Sequence, residues 1–535
     1  METYQPIENY GIIGDLNTAV LVGMDGSIDF MCFPAFDSPT IFAALLDHQR
    51  GGYFKIAPVA GEFTRRQRYF PDTNVLLTRF VGDGGIAEIS DFMPIHHLGH
   101  QHCIVRRVKV VRGEMNIRMV CAPKFDYGRS AHTIEKRKSE IIFVPDKKTL
   151  PSLRLRYGAA VRVKDGQAIA EFKMRADEKV FFILEAANDG EESPSKNPDY
   201  VSDAFKETMN FWLTWVSHSK YRGRWREMVN RSSLVLKLLT SRKHGSIVAA
   251  PTFALPERIG GERNWDYRYT WVRDASFTLY ALMRLGYTEE AQAFMLWMEQ
   301  RCRELKSGNP LQVMYRLDGR PELPEKILAN FDGYKGSKPV RIGNAASDQL
   351  QLDIHGELMD SIYIYNQHGQ PISYDFWMDL TKLVEWVCQN WKKPDNGIWE
   401  VRGGTRRFLY SRAMCWLAID RAMKIAQQRS YPAPLVRWLR TRNQIYQSIY
   451  NDFWNPKLKS FVQYQGAKTV DAACLLLPMV KFISPIDPRW MSTLEAIKKN
   501  LVQDSLVYRY LPAKAAPDGF NDTEGTFSMC SFWYV

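Results

Sequence analysis

The chain reads as two unlike halves, an antiparallel β-sandwich followed by a domain of stacked helical hairpins. Three observations carry that reading. Residues 1–200 hold short alternating apolar runs separated by glycine- and aspartate-rich turns. From about Tyr200 onward the apolar period becomes helical, and helix follows helix with short connections. At 535 residues the chain is too long for one ordinary domain. The absence of a sequence repeat at any fixed period weighs against a solenoid and leaves a toroid.

In the first half, Gly82-Asp-Gly-Gly85 marks a hairpin turn. Residues 103–120 give two alternating runs around a further turn at Arg112-Gly-Glu114, and Lys164-Asp-Gly166 marks a third. Residues 188–197, with the run Asp-Gly-Glu-Glu-Ser-Pro-Ser-Lys, read as a loop closing this half. In the second half, Met228, Leu234, Leu236, Leu238 and Leu239 lie in a long apolar-faced segment. Residues 271–285 predict a helix ended by Gly286 at the C′ position. Thr288-Glu-Glu290 starts the next, with acids at its positive end. Further helices are predicted over 350–365, 374–391, 411–428, 435–453 and 471–480.

Composition narrows the function classes. The 15 Trp, 25 Tyr and 28 Phe suit carbohydrate contacts as well as a large core. The 71 basic and 59 acidic residues leave a net charge of +12, but the basic residues form only short clusters such as Arg65-Arg66 and Lys147-Lys148. Nucleic acid is therefore not the expected partner. The eight cysteines are widely spaced without a C-x-x-C pair, and they read as reduced core residues in a reducing compartment. Met-Glu-Thr-Tyr-Gln-Pro at the start lacks a basic stretch followed by an apolar one, so no signal peptide is expected, and no 18-residue apolar run is present. The expectation is a cytoplasmic protein with a small-molecule substrate and no membrane partner; whether it forms a homo-oligomer is left open.

The segment Arg263-Asn-Trp-Asp-Tyr-Arg-Tyr-Thr-Trp-Val-Arg-Asp274 is the most informative stretch. Its twelve residues hold four aromatics, three arginines and two aspartates. A core does not tolerate that many charges unless they are paired, and a solvated surface has no use for so many large rings. A sugar pocket requires both: Arg and Asp take hydroxyls, and the apolar face of the sugar packs on a ring. The competing reading is a salt-bridged helix start at a domain junction.

Carboxylates beside aromatics or glycines stand out at three further places. Asn396-Gly-Ile-Trp-Glu400 sets a glutamate after a Trp at a turn. Asn521-Asp-Thr-Glu-Gly-Thr-Phe527 sets Glu524 in a loop. Gln351-Leu-Asp-Ile-His-Gly-Glu357 puts Asp353 and Glu357 at i, i+4 on one helical face. Two carboxyls across a sugar pocket are the minimal apparatus for glycoside hydrolysis. Any single Glu, taken alone, reads as a surface or capping residue.

Taken together, these motifs resemble glycoside hydrolase family 15, the glucoamylase and trehalase family, and more closely its trehalase-like bacterial and archaeal branch. The resemblance covers nearly the whole chain. Ile12-Ile-Gly-Asp-Leu-Asn-Thr-Ala-Val-Leu-Val, Asp25-Gly-Ser-Ile-Asp-Phe and Phe36-Asp-Ser-Pro39 resemble that branch's sandwich domain. Asp266 to Asp274, Gly397-Ile-Trp-Glu400 and Glu524-Gly-Thr-Phe527 with Cys530-Ser-Phe-Trp533 follow its catalytic segments in order.

The resemblance implies a β-super-sandwich over 1–200, a helical linker over 201–222 and an (α/α)6 barrel over 223–535. It implies Glu400 as general acid and Glu524 as general base, and inversion, with the two carboxyls ~6.5–9.5 Å apart. Tyr267, Trp271, Arg273, Asp274 and Trp399 are expected around the substrate. Asp353 and Glu357 are expected there too, Glu357 toward the second glucose of trehalose. Glu357 is also the alternative for the acid, which would leave Glu400 in a binding role.

The implied reaction is hydrolysis of trehalose to two glucose molecules. A glucoamylase-like attack on α-1,4 or α-1,6 gluco-oligosaccharides is the alternative, and an impaired carbohydrate-binding protein is the alternative of another class. No cofactor and no metal is implied. His96-His-Leu-Gly-His-Gln-His102 reads as an exposed loop, and His355 as a wall or core residue. Glu524 stands eleven residues before Val535, and its apolar continuation reads as a buried helix cut short. The expectation is therefore a barrel that is incomplete at its C-terminus.

Overall fold

One strand of twenty residues, Cys103–Ala122, organises the first half of the protein. The structure is a computed structural model that describes residues 4–59, 61–95, 102–187, 193–305, 310–511, 518–520 and 525–535. The first part of the long strand pairs with Gly85–Phe92 and Lys179–Ala187, the second with Tyr53–Pro58 and Gln167–Arg175. All pairings are antiparallel, and fifteen strands join in one hydrogen-bonded network. Ile13 and Ile141 lie near opposite ends of that strand order yet share one apolar core. The sheet therefore doubles over on itself as a sandwich, as the alternating pattern predicts.

The turns at Gly82–Gly85 and Lys164–Gly166 join paired strands as expected. Arg112-Gly-Glu114 does not turn. The long strand runs through it with a register shift opposite Ile86 and Ala87. Gly113 takes φ +73°, and a Cβ there would lie 2.1 Å from the carbonyl oxygen of Gly84. The glycine serves a bulge that bends the strand from one layer into the other. Of the expected closing loop, residues 188–192 lie outside the described residues, and Pro194–Lys196 forms one 3-10 turn.

The second half is helical: Tyr200–Ser217, Arg226–Leu238, Val272–Leu285, Glu289–Glu304, Ile354–His368, Tyr374–Asn390, Leu409–Arg429, Leu435–Asp452, Pro488–Leu501 and Ser528–Tyr534 are its longer helices. Their burial differs widely. Leu409–Arg429 is buried on almost every side, Arg412, Asp420 and Arg421 included. Leu435–Asp452 buries only Trp438, Thr441, Ile445 and Ile449, a single stripe at helical spacing. Val272–Leu285, Ile354–His368 and Leu409–Arg429 pack side by side, and Glu289–Glu304, Tyr374–Asn390 and Leu435–Asp452 pack against them.

Several boundaries differ from expectation for local reasons. Ile354–His368 starts late because the N–H of Leu352 is held by the Asp395 carboxylate and the chain before it stays extended. The helix expected over 471–480 is two single turns, Ala472–Leu475 and Leu476–Met479. Pro488–Leu501 is absent from the sequence reading. Its signals are Asp487, which caps the N–H of Arg489, the proline at its first turn, and the stripe Trp490, Thr493, Ile497, Leu501.

The sandwich and the helices share apolar cores. Phe36 packs with Trp212, Leu234 and Leu238, and Leu45 and Leu46 pack with Phe253 and Phe331. Asp37 pairs with Arg316 at 3.0 Å. All eight cysteines are free thiols. Among the described residues no helix is long and apolar enough to cross a membrane.

Candidate active site

The segment from Arg263 to Asp274 crosses between the two halves and sends its side chains to both. Asn264–Asp266 and Thr270–Trp271 are short strands, and helix Val272–Leu285 starts directly after them. Arg268 turns toward the sandwich. It is fully buried, pairs with Asp266 at 2.7 Å and donates to the carbonyl of Ser38 at 2.8 Å. Tyr267 and Trp271 turn the other way into a cavity, their rings 5.8 Å apart. Both readings of this segment hold at once: it is a junction held by an ion pair, and it is the wall of a pocket.

Arg273 and Asp274 form the first turn of Val272–Leu285, where the helix dipole favours the aspartate. Arg273 donates to the carbonyl of Ile398 at 2.8 Å and reaches Gln351 at 3.3 Å. Its Nη2 lies 3.2 Å from both Asp274 and Glu400. Burial alone would lower its pKa, but Asp274, Glu400, Asp353 and Glu357 together raise it, so it stays a cation.

Glu400 is held from several sides. Its Oε1 accepts from the Trp271 indole at 2.8 Å and from Arg273. Its backbone takes φ +57°, the left-handed region that a glutamate rarely adopts. The Gln349 amide donates to its carbonyl at 3.2 Å, and its own N–H donates to Gly397. Strained backbone fixed by its surroundings is a mark of functional sites. Next to it, the indole of Trp399 donates to the Asp471 carboxylate at 3.0 Å, and burial pushes Asp471 up to about 6.

The cavity has a volume of about 490 Å³ and takes in Tyr267, Trp271, Arg273, Asp274, Trp399 and Glu400. That volume lies in the range of small-molecule sites. Asp353 and Glu357 are not among its lining residues, though their charges act on Arg273. Asp353 is completely buried, and neither of its oxygens meets a hydrogen-bond donor among the described residues. Burial pushes it to about 6 against the pull of Arg273. Glu357 accepts from the Tyr410 hydroxyl, and burial pushes it up to about 8. Asp395 accepts from Ser411 at 2.7 Å and is raised to about 7, by burial first and Asp353 next. The i, i+4 spacing places Asp353 and Glu357 together at the start of Ile354–His368, outside the cavity lining.

Glu524 lies outside the described residues. Phe520 before it and Gly525, Thr526 and Phe527 after it line the cavity. His96, His97 and His100 also lie outside. His102 belongs to the sandwich, where its Nδ1 is 2.6 Å from Asp15. His355 is buried 5.0 Å from the Trp386 ring, and burial holds it neutral, down to about 3.

Glu257, Arg402, Arg509 and Asp518 also line the cavity and escaped the sequence reading. Arg509 lies over Trp399 at 5.3 Å and Phe527 at 5.5 Å, and pairs with Glu257 at 3.6 Å. Its signal was available: Tyr508-Arg509-Tyr510 repeats in miniature the ring-and-arginine signature of the 263–274 segment.

Comparisons with known proteins show the family and the fold. The family model of glycosyl hydrolases family 15 matches residues 223–535, and that of the trehalase-like N-terminal domain matches residues 2–201. A trehalase of Thermoplasma volcanium is 35% identical over 540 residues, which span 100% of this chain and 85% of that protein. A trehalase of Mycobacterium tuberculosis is 32% identical over 99% of this chain and 81% of its own length. Among solved structures, a bacterial glucoamylase complexed with acarbose superposes with a TM-score of 0.71 at 11% identity, over 99% of this chain and 84% of that one.

Proposed function

The chain belongs to glycosyl hydrolases family 15 and is an O-glycosyl hydrolase, and from that premise we propose that it is an inverting hydrolase of trehalose. Glu400 is the general acid and Glu524 the general base. The observation that carries the acid assignment is Glu400 itself, held in the cavity by Trp271 at 2.8 Å and Arg273 at 3.2 Å. Both donors suit the carboxylate left after Glu400 has given up its proton. Glu357 offers no comparable geometry, because it lies outside the cavity and Tyr410 holds its oxygen.

In this reading one glucose rests between Tyr267, Trp271 and the Arg273–Asp274 pair. Water attacks C1 from the face away from the leaving oxygen, and Glu524 takes its proton. The bond from C1 to the glycosidic oxygen breaks as Glu400 protonates that oxygen, and two glucose molecules leave. Asp353 and Glu357 act through Arg273 and touch no sugar. The helical half is read as an (α/α)6 barrel with Val272–Leu285, Ile354–His368 and Leu409–Arg429 in its inner ring. The contact of Phe277 with Trp533 at 5.9 Å supports that ring, since it brings Ser528–Tyr534 beside Val272–Leu285.

The test is glucose release from trehalose, maltose and isomaltose at equal concentration. Trehalose is expected to have the highest kcat/KM. A clear preference for maltose or isomaltose would move the protein to the glucoamylase-like reading.

A further inference from the structure

We propose that Asp518 is a positioning residue that fastens the chain shortly before Glu524 to the segment carrying Glu400, and that the base depends on this fastening for its rate; this rests on the assignment of those two glutamates above. Asp518 is buried and ties four stretches of chain together. Its Oδ2 accepts from Arg263 Nη2 at 2.7 Å and from the Tyr510 hydroxyl at 3.3 Å. Its Oδ1 accepts from the Phe520 N–H at 3.1 Å. Its backbone carbonyl accepts from the N–H of Arg402, two residues past Glu400, at 2.9 Å.

The residues that follow reinforce the knot. Gly519 has φ +89°, and a Cβ there would come within 3.0 Å of the Arg402 Cβ, so the chain lies directly on the acid segment. Phe520 packs between the guanidinium of Arg263 at 4.7 Å and that of Arg402 at 5.9 Å, edge-on to Trp265 at 5.4 Å. Arg402 is itself clamped on Glu325 through two hydrogen bonds, at 3.3 and 2.8 Å. Downstream, Phe527 contacts Trp399 at 5.9 Å, and its N–H donates to Val507. In the sequence Glu524 falls between two anchors, Phe520 and Phe527, each packed against a residue within two positions of Glu400. A base must be aimed closely at its water, and small misplacement is costly in rate.

The test separates base from acid by choice of leaving group. α-Glucosyl fluoride needs no proton on its leaving group, so its hydrolysis requires the base but not the acid. Glu400→Gln is expected to keep fluoride hydrolysis within about tenfold of wild type while losing trehalose, and Glu524→Gln to lose both. Asp518→Asn is expected to lose at least about tenfold in kcat on both substrates, with KM shifted less than about threefold. Azide supplies a nucleophile with no proton to remove: the C1–N bond forms as the C1–F bond breaks, giving β-glucosyl azide and fluoride. Azide is expected to restore turnover of the fluoride to Asp518→Asn and Glu524→Ala.

A merely structural defect would lower the melting temperature and would not respond to azide. Arg263→Lys keeps the charge but loses the fork, and it is expected to show the same pattern more weakly should Asp518→Asn fail to fold. Wild-type kcat on both substrates, or a slow Asp518→Asn that azide does not rescue, overturns the proposal. Retention of fluoride hydrolysis by Glu524→Gln overturns the base assignment instead.

Discussion

Trp271 donates its indole N–H to Glu400 at 2.8 Å, although 129 positions of chain separate them. The contact joins the wall of the pocket to the proposed general acid. Trp271→Phe keeps a ring in place and removes the donor. A hydrogen bond to a charged group contributes ~1.5–3 kcal/mol, so kcat should fall roughly ten- to a hundredfold, with a smaller change in KM. Steady-state kinetics on trehalose check it. An unchanged kcat would mean that Arg273 alone suffices to hold Glu400.

Glu400→Gln and Glu524→Gln should each remove ~10²–10⁴ of the hydrolysis rate, the usual scale of general acid or base help. Glu357→Gln should cost far less, because Gln still accepts from Tyr410 and the site is outside the cavity. The three variants are compared at matched folding, followed by circular dichroism. A dead Glu357→Gln beside a working Glu400→Gln would reverse the acid assignment.

How much of this was legible in the sequence follows from where the signals are local. Period and turn residues are local, so the sandwich and most helices could be read before any coordinates. Arg112-Gly-Glu114 misled because glycine serves a hairpin and a bulge equally, and only the partner strand decides between them. The pocket residues around Arg273 and Glu400 were legible because rings and charges are dense there. The placement of Asp353 and Glu357 was not. Whether Glu357 faces a sugar or Tyr410 depends on the packing of Ile354–His368 against Leu409–Arg429, which the i, i+4 spacing does not encode. Asp518 was illegible for the same reason, since its partners Arg263 and Arg402 come from two distant segments.

The buried acids predict a pH dependence of stability. Burial raises Glu357 to about 8 in the folded protein, above the ordinary glutamate value of 4.5. The folded state therefore holds this proton more tightly than the unfolded chain does. Its contribution to stability is full below about 4.5, declines as pH rises toward about 8, and is lost above that. Asp353 and Asp395 shift the same way. The wild-type melting temperature should fall across this window, and the fall should be shallower in Glu357→Gln. Scanning fluorimetry from acid to mildly alkaline pH checks it. Identical slopes in the two proteins would show that Glu357 is ionised in the folded state.

An acid and a base on opposite faces of the sugar give single displacement. The glucose whose C1 is attacked should therefore appear first as the β-anomer. The other glucose leaves with its own anomeric configuration unchanged. Proton NMR of the first products of trehalose should accordingly show α and β anomers in equal amounts before mutarotation. Early product that is all α would exclude inversion.

The junction yields the last prediction. Arg268 and Asp266 are both fully buried and bonded to each other at 2.7 Å. Arg268 also donates to Ser38 in the sandwich, while Asp266 accepts from the N–H of Gly343 at 3.1 Å in the helical half. One ion pair therefore fastens the two halves together directly behind Tyr267. Breaking a buried pair from one side leaves an uncompensated charge and costs ~3–5 kcal/mol. Arg268→Met should accordingly lower the melting temperature strongly. Asp266→Asn combined with Arg268→Met should lower it less, because Asn keeps an acceptor for Gly343 and strands no charge. Activity should drop with the single variant even where the protein remains folded, since Tyr267 and Trp271 lose the support that sets their wall of the cavity. For the same reason, proteolytic removal of residues 1–200 should not leave a stable, active helical piece. A double variant less stable than Arg268→Met alone would show that Asp266 supports the junction apart from the pair, and a stable, active fragment lacking residues 1–200 would show that the helical half does not need the sandwich.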